Sequence, residues 1–271
     1  MVYLLLALFG GLSGVTTVLF GFGGGFVVVP LLYRVLGAAY DAHDAAGEAA
    51  MHIAVATSTC VMVVNALAAT RRHARAGNID WPAIRTLAAF IGVGAVLGAG
   101  AAVAASADLL RWAFVVYLGI TILDCLLRQG FMSRRDSAAP RPLAPAQTVG
   151  GGLVIGLVAT FLGVGGSVMT VPLLRRRGFS MTRATAMANP LSLPVAIAGT
   201  ATYMAMAWFR PVALGPWHAG YVDLIAFAVL AVGSLLGIRL TSRYIGRIPD
   251  RLHARVYIGL LAVVMLGMML P

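Results

Sequence analysis

Apolar residues fall along this chain in long blocks, with the polar positions gathered between the blocks rather than alternating within them. Two blocks, residues 1–33 and 142–174, carry no charge at all. As continuous helices each would be about 50 Å long, against a hydrocarbon core of about 30 Å. One straight membrane crossing therefore fits neither block. Deep in the first lies Gly21-Phe22-Gly23-Gly24-Gly25-Phe26-Val27-Val28-Val29-Pro30-Leu31-Leu32, and deep in the second Gly163-Val164-Gly165-Gly166-Ser167-Val168-Met169-Thr170-Val171-Pro172-Leu173-Leu174. Glycine accepts backbone angles that other residues resist and gains little from helix formation. The pattern predicts two helical pieces in each block, meeting at a glycine turn.

Further apolar blocks follow each broken segment: residues 49–70, 82–105 and 112–127 in the first half, with a corresponding series in the second. Short pieces recur in order. Gly77-Asn78-Ile79-Asp80-Trp81 is echoed by Gly220-Tyr221-Val222-Asp223-Leu224, Val93-Gly94-Ala95-Val96-Leu97-Gly98 by Val232-Gly233-Ser234-Leu235-Leu236-Gly237, and Val116-Tyr117-Leu118-Gly119 by Val256-Tyr257-Ile258-Gly259. The offset stays near 140 residues, as internal duplication would leave it. The expected units are residues 1–128, a cytoplasmic linker over 129–146, and residues 147–271.

Composition sharpens the class. With 60% hydrophobic and 11% charged residues and a mean hydropathy of +0.91, the chain reads as an all-α polytopic membrane protein. The net charge of +11 comes from 20 arginines and no lysine, set in short loops. They read as topology signals, and no nucleic-acid partner is expected. Arg71, Arg72 and Arg75, the linker arginines and Arg239, Arg243, Arg247 and Arg251 mark cytoplasmic loops by the positive-inside rule. The loop with Asp41, Asp44 and Glu48 reads as external.

Arg175-Arg176-Arg177 and Arg183 follow the second broken segment, whose other end is also arginine-rich, so both ends are expected in the cytoplasm. Three ordinary crossings per half remain, and an odd number inverts the next half. The expected fold is two inverted-topology repeats of four hydrophobic segments each, the first segment of each broken at a Gly-rich turn. The competing arrangement is eight simple crossings in a parallel repeat. The N-terminus has no charged n-region, so the first segment is expected to be retained.

A broken helix in a membrane is tolerated where its freed backbone faces protein or water. The piece after each turn also presents unpaired N–H groups and the positive end of a helix dipole, which favour an anion. The candidate binding residues are the amides of Gly23, Gly24, Gly25, Gly165, Gly166 and Ser167, with the hydroxyls of Thr57 and Ser58 and the amide of Asn189. Asn65 is a weaker candidate. For each the alternative is ordinary helix-to-helix bonding, and for the glycines close packing alone. Pro190 and Pro194 read as a kink in their span. His73 reads as a solvated loop residue, Asp124 as a local partner of Arg128, and Cys60 and Cys125 as small buried residues. No His-x-x-x-His, paired-carboxylate or Ser-His-Asp pattern appears in the spans, so no enzyme, metal or cofactor is expected.

The paired Gly-rich motifs ending in Val-Pro-Leu, Ala56-Thr57-Ser58, Arg72-His73 followed by Gly77-Asn78-Ile79-Asp80-Trp81, and the run from Gly220-Tyr221-Val222-Asp223 through Gly233-Ser234-Leu235-Leu236-Gly237 to Arg243 resemble the sulfite exporter TauE/SafE family of membrane anion transporters. The resemblance implies a multi-pass carrier of the bacterial inner membrane for sulfite, organosulfonates or thiosulfate-like anions. The chain departs from the pattern at Ser167, in the third glycine position, and at Ala188-Asn189-Pro190, where a Gly-Thr pair is expected. The expectation is a secondary transporter working by alternating access, with a passive anion channel as the alternative. Its partners are a small sulfur-containing anion and the lipid bilayer, and homo-oligomerisation is left open.

Overall fold

The computed structural model describes residues 2–39, 45–127, 131–132, 144–209, 214 and 216–269. Asp41, Asp44, Arg128, Arg210 and most of the 129–146 linker lie outside the described residues. Helix α1 (Val2–Phe20) leads through the first glycine turn into α2 (Gly25–Ala39). A single helical turn, α3 (Ala45–Glu48), precedes α4 (Ala50–Arg75), α5 (Trp81–Ala104) and α6 (Ala107–Leu127). The second series comprises α7 (Pro145–Phe161), α8 (Ser167–Arg176) and α9 (Met181–Phe209). A two-residue antiparallel hairpin, β1 (His218–Ala219) and β2 (Val222–Asp223), leads to α10 (Leu224–Thr241), a 3-10 turn at Ser242–Tyr244 and α11 (Asp250–Met269).

The echoed pieces form the same local device twice. Gly77 and Gly220 both take positive φ, +69° and +63°. Three residues on, the Asp80 carboxylate accepts the Ala83 amide at the start of α5, and that of Asp223 accepts the Ile225 and Ala226 amides at the start of α10. An acidic N-cap satisfies amides that a helix start leaves open. Pro190 and Pro194 both sit inside a continuous α9.

Among the described residues six helices, α1, α4, α5, α6, α10 and α11, are long and apolar enough to cross a membrane, while α2 and α7 are shorter apolar helices. Leucine, isoleucine and valine side chains such as Val96, Leu97, Ile120, Leu236 and Val263 stand exposed on their outer faces, as a hydrocarbon solvent allows. Helices α4 and α9 pack against each other in the interior.

Around them the packing crosses between the halves: α1 lies along α10, and α5 along α7. Glycine makes both contacts backbone to backbone. A methyl group at Gly10 would lie 2.6 Å from the Leu230 carbonyl oxygen, and one at Gly14 would strike that of Ser234. Gly94 and Gly98 stand in the same relation to the Leu153 and Leu157 carbonyls.

Arginines fasten the helix ends. Arg34 and Arg111 donate to the Gly267 and Met268 carbonyls at the end of α11, at 2.8 and 3.1 Å, where the dipole favours a cation. Arg176 holds Asp124 of α6 through two contacts of 2.9 Å. Asp124 thus ties α6 to α8, and its expected partner Arg128 lies outside the described residues.

Candidate functional site

Each glycine turn ends one helix and starts another. The Gly21 amide closes α1 on the Thr17 carbonyl at 2.9 Å, and Gly21, Gly23 and Gly24 all take positive φ, so the chain can reverse only with glycine there. In the second turn the Gly163 amide reaches Thr160 O at 3.1 Å and that of Val164 reaches Ala159 O at 3.0 Å. Only Gly163 has positive φ in this turn. Gly166 is right-handed helical and Ser167 is the first residue of α8, so a serine fits the third glycine position without strain. The first bonds of α2 run from Val27 and Val28 to Gly24 O, and those of α8 from Met169 and Thr170 to Gly166 O. Among the described residues, the amides of Gly23, Gly24, Gly25, Gly165, Gly166 and Ser167 take no backbone acceptor.

The two turns meet. A methyl group placed at Gly23 would lie 3.0 Å from Met62 Sδ and 3.4 Å from Ser192 Oγ, and one at Gly165 would lie 3.1 Å and 2.9 Å from the same two atoms. One at Gly25 would run into the Gly163 carbonyl. Met62 of α4 and Ser192 of α9 therefore sit between the turns, each facing both.

The next position differs between the halves. Gly24 lies against Asn65 and Ser13, Gly166 against Ile155 and Val195. The first pair belongs to a buried chain: Ser234 donates to Asn65 Oδ1, Asn65 Nδ2 donates to Ser13 Oγ at 3.1 Å, and Ser13 donates to Gly24 O at 3.3 Å. Helices α10, α4 and α1 are thereby bonded to the first turn. The second turn has hydrocarbon there.

The predicted hydroxyls and amide are placed as follows. Ser58, buried, directs its hydroxyl to Val55 O at 2.8 Å and Gly163 O at 3.1 Å, bracing the second turn from α4. Thr57 accepts the Asp223 amide at 3.0 Å, on the side of α4 that meets the hairpin and away from the turns. Asn189 Nδ2 donates to Thr185 O at 3.1 Å, and its Oδ1 is buried without a hydrogen-bond partner among the described residues. The turns, Ser58, Met62 and Ser192 come together; Thr57 does not join them.

Sequence reasoning missed Met62 and Ser192, which look like filling and an ordinary helical serine until α4 and α9 pack. It also misplaced His73. The residue is 1% exposed, because α4 continues to Arg75 and turns the imidazole inward, where Nε2 lies 2.8 Å from Val18 O. Cys125 is buried and Cys60 half-buried, and both are free thiols.

The site is electrically gentle. The residues that meet at the turns carry no charge, and buried Arg175 is engaged beyond the far end of α8, donating to the Phe131 and Phe179 carbonyls at 3.0 and 3.2 Å and pairing with Asp250. Helix-end amides supply the positive potential instead. Every residue of both turns is buried. Two cavities open elsewhere: one of about 520 Å³ where α1 and α2 meet the hairpin, and one of about 450 Å³ between α6, α7 and α8. Neither is lined by a turn glycine. Among the described residues no cluster of three His, Cys, Asp or Glu side chains comes together.

A family model described as sulfite exporter TauE/SafE matches residues 6–268. A probable membrane transporter protein of Haemophilus influenzae is 28% identical over 272 residues, covering 98% of each chain. One of Methanocaldococcus jannaschii is 25% identical over 248 residues, covering 88% of this chain and 86% of its own. One of Xylella fastidiosa is 27% identical over 165 residues, covering 61% and 59%. No solved structure matches this chain.

Proposed function

This chain belongs to the sulfite exporter TauE/SafE family of membrane transporters, and from that premise we propose that it carries a small sulfur-containing anion by alternating access, binding it where the two glycine turns meet. The observation that carries the reading is the convergence of two helix starts with open amides on one uncharged spot. Amides hold an oxyanion without the desolvation cost of a buried arginine and without gripping it too tightly for release. Met62, Ser192 and Ser58 line or brace this spot, and Asn189 stands on the same helix as Ser192. The burial of both turns favours a carrier with an occluded centre over a passive channel.

The proposed architecture is two inverted repeats, residues 1–128 and 147–271, joined through 129–146. Exchange of the halves supports it: α1 on α10 answers α7 on α5, and Gly23 and Gly165 face the same two side chains. The glycine contacts suggest which bodies move. They fuse α1 to α10 and α5 to α7, so the rocking units are cross-half pairs rather than the two repeats themselves. A helical bundle of this kind fits the bacterial inner membrane, because outer membranes hold β-barrels.

The test is counterflow in proteoliposomes with radiolabelled sulfite, thiosulfate, sulfoacetate and sulfate. Saturable exchange of one anion, weakened in Gly166→Val by an expected tenfold or more, supports the reading. Conductance without saturation would identify a channel. Normal exchange in a folded Gly166→Val protein would move the site elsewhere.

A further inference from the structure

Two histidines outside the anion site close on the last turn of α1. His73, in the last turn of α4, sets Nε2 2.8 Å from Val18 O, and His253, in the first turn of α11, sets Nε2 2.7 Å from Leu19 O. The side chains are 1% and 3% exposed. A carbonyl only accepts, so each Nε2 carries a hydrogen and donates it. The other nitrogen of each ring, Nδ1, is buried with no hydrogen-bond partner among the described residues. Each ring in its neutral form therefore holds a bare basic nitrogen out of water.

Burial opposes an added charge on either ring, and the end of α1 offsets that cost for a single one. The carbonyls lie at the negative end of the α1 dipole, where an imidazolium is favoured. The two rings act electrostatically on each other, which disfavours charging both. His253 also feels Asp250 of its own helix and Arg175 of α8, themselves an ion pair. Arg71, Arg72 and Arg75 of α4, Arg183 of α9, Arg239 of α10, Arg243 and Tyr244 of the 3-10 turn and Arg251 and Arg255 of α11 are exposed. Asp124 of α6 is held by Arg176 of α8. Residues 13–20 of α1 contain no ionisable side chain.

The pair also connects to both turns. Gly21 follows α1 directly. From His253 a row of rings runs through Phe20 (5.0 Å, edge to face) and Phe22 (6.2 Å) to Tyr257 (4.7 Å). The Tyr257 hydroxyl lies 3.4 Å from the Ser167 and Val168 carbonyls at the start of α8. The Val168 carbonyl is open to it because Pro172, four residues on, has no N–H to offer.

We propose that His73 and His253 together form a proton-binding site whose occupation is coupled to carriage of the anion. The bound species is one proton, forming an N–H bond at Nδ1 of one ring on one side of the membrane and leaving to water on the other. The imidazolium adds positive charge beside the first turn, so proton and anion each strengthen the binding of the other, reciprocally. This inference rests on the transport reading.

The experiment uses proteoliposomes of the full chain, with thiosulfate and sulfoacetate, whose charge is constant over about pH 6 to 8, where histidine titrates. Counterflow of the labelled anion reports carriage alone; anion accumulation driven by an inward proton gradient, with trapped-dye acidification, reports coupling. The variant is His73→Gln with His253→Gln, each glutamine keeping a donor that reaches the α1 carbonyl but cannot titrate. The expected result is counterflow that reaches close to the unaltered rate at saturating anion, at a weaker apparent affinity, with gradient-driven accumulation reduced about tenfold or more. Coupled proton movement that persists in the double variant, or its absence from an unaltered protein that shows counterflow, overturns the proton site. Absence of counterflow from the unaltered protein overturns the transport reading instead, and the coupling with it. If the double variant is misfolded by size exclusion, the single variants are measured the same way, and undiminished coupling in both overturns the proposal.

Discussion

Asn65 is where the two turns cease to be equivalent. Its amide stands between Ser234 and Ser13, and through Ser13 it supports the carbonyl of Gly24. Replacing it with valine, the residue found at the facing position of the second turn, takes one partner from each of two buried hydroxyls, which keep only the Ala231 and Gly24 carbonyls. Asn65→Val is expected to cost about 1–3 kcal/mol, read as a lowered melting temperature in detergent. Adding Ser13→Ala and Ser234→Ala is expected to restore part of that loss, because an unmade hydrogen bond costs more than one removed from both sides. Gly166 gives the gentler probe of the opposite turn. Its φ of −56° accepts any residue, and a methyl group there meets Ile155 Cγ2 at 3.1 Å. Gly166→Ala should therefore fold while weakening anion exchange, whereas Gly24→Ala, at φ +100° and against Asn65, should lose folded protein; size exclusion and counterflow together check both.

At the scale of the elements, the glycine stripes set how closely helices approach. A methyl group at Gly98 would strike the Leu157 carbonyl of α7, while one at Gly100 meets open space. Gly98→Ala should cost folded protein in a size-exclusion profile. Gly100→Ala should be neutral or stabilising by up to about 1 kcal/mol, the gain of alanine over glycine inside a helix. These elements show what the residues alone could reveal. The turns were legible because only glycine reverses a chain so sharply, and the starts of α5 and α10 were legible as echoed pieces, whose Asp80 and Asp223 the structure shows to be caps. Each of those signals is local. The Ser13–Asn65–Ser234 chain joins three helices distant in sequence, and no spacing rule connects them before α1 meets α10. His73 misled for a similar reason: it follows Arg71 and Arg72 and looks solvated, and only its contact with the end of α1 explains why α4 keeps it inside.

For the whole molecule, the inverted arrangement is decided by the side of the membrane each loop faces. In a chain whose Cys60 and Cys125 are replaced by serine, Ala76→Cys and Arg183→Cys should both be labelled by an impermeant maleimide only after the cytoplasm is opened, and Ser106→Cys should be labelled from outside. Arg183→Cys labelled from outside would favour eight simple crossings in a parallel repeat. The crosswise packing of α1 on α10 also has a consequence in time. Gly14 finds its backbone partner at Ser234, about 220 residues later, so at about 5–20 residues per second α1 stands in lipid for roughly 10–45 seconds before its groove is filled. The partner of α5 arrives far sooner, because only α6 stands between α5 and α7. A ribosome that stalls before α10 leaves the glycine stripe of the first helix as a bare strip of backbone facing lipid.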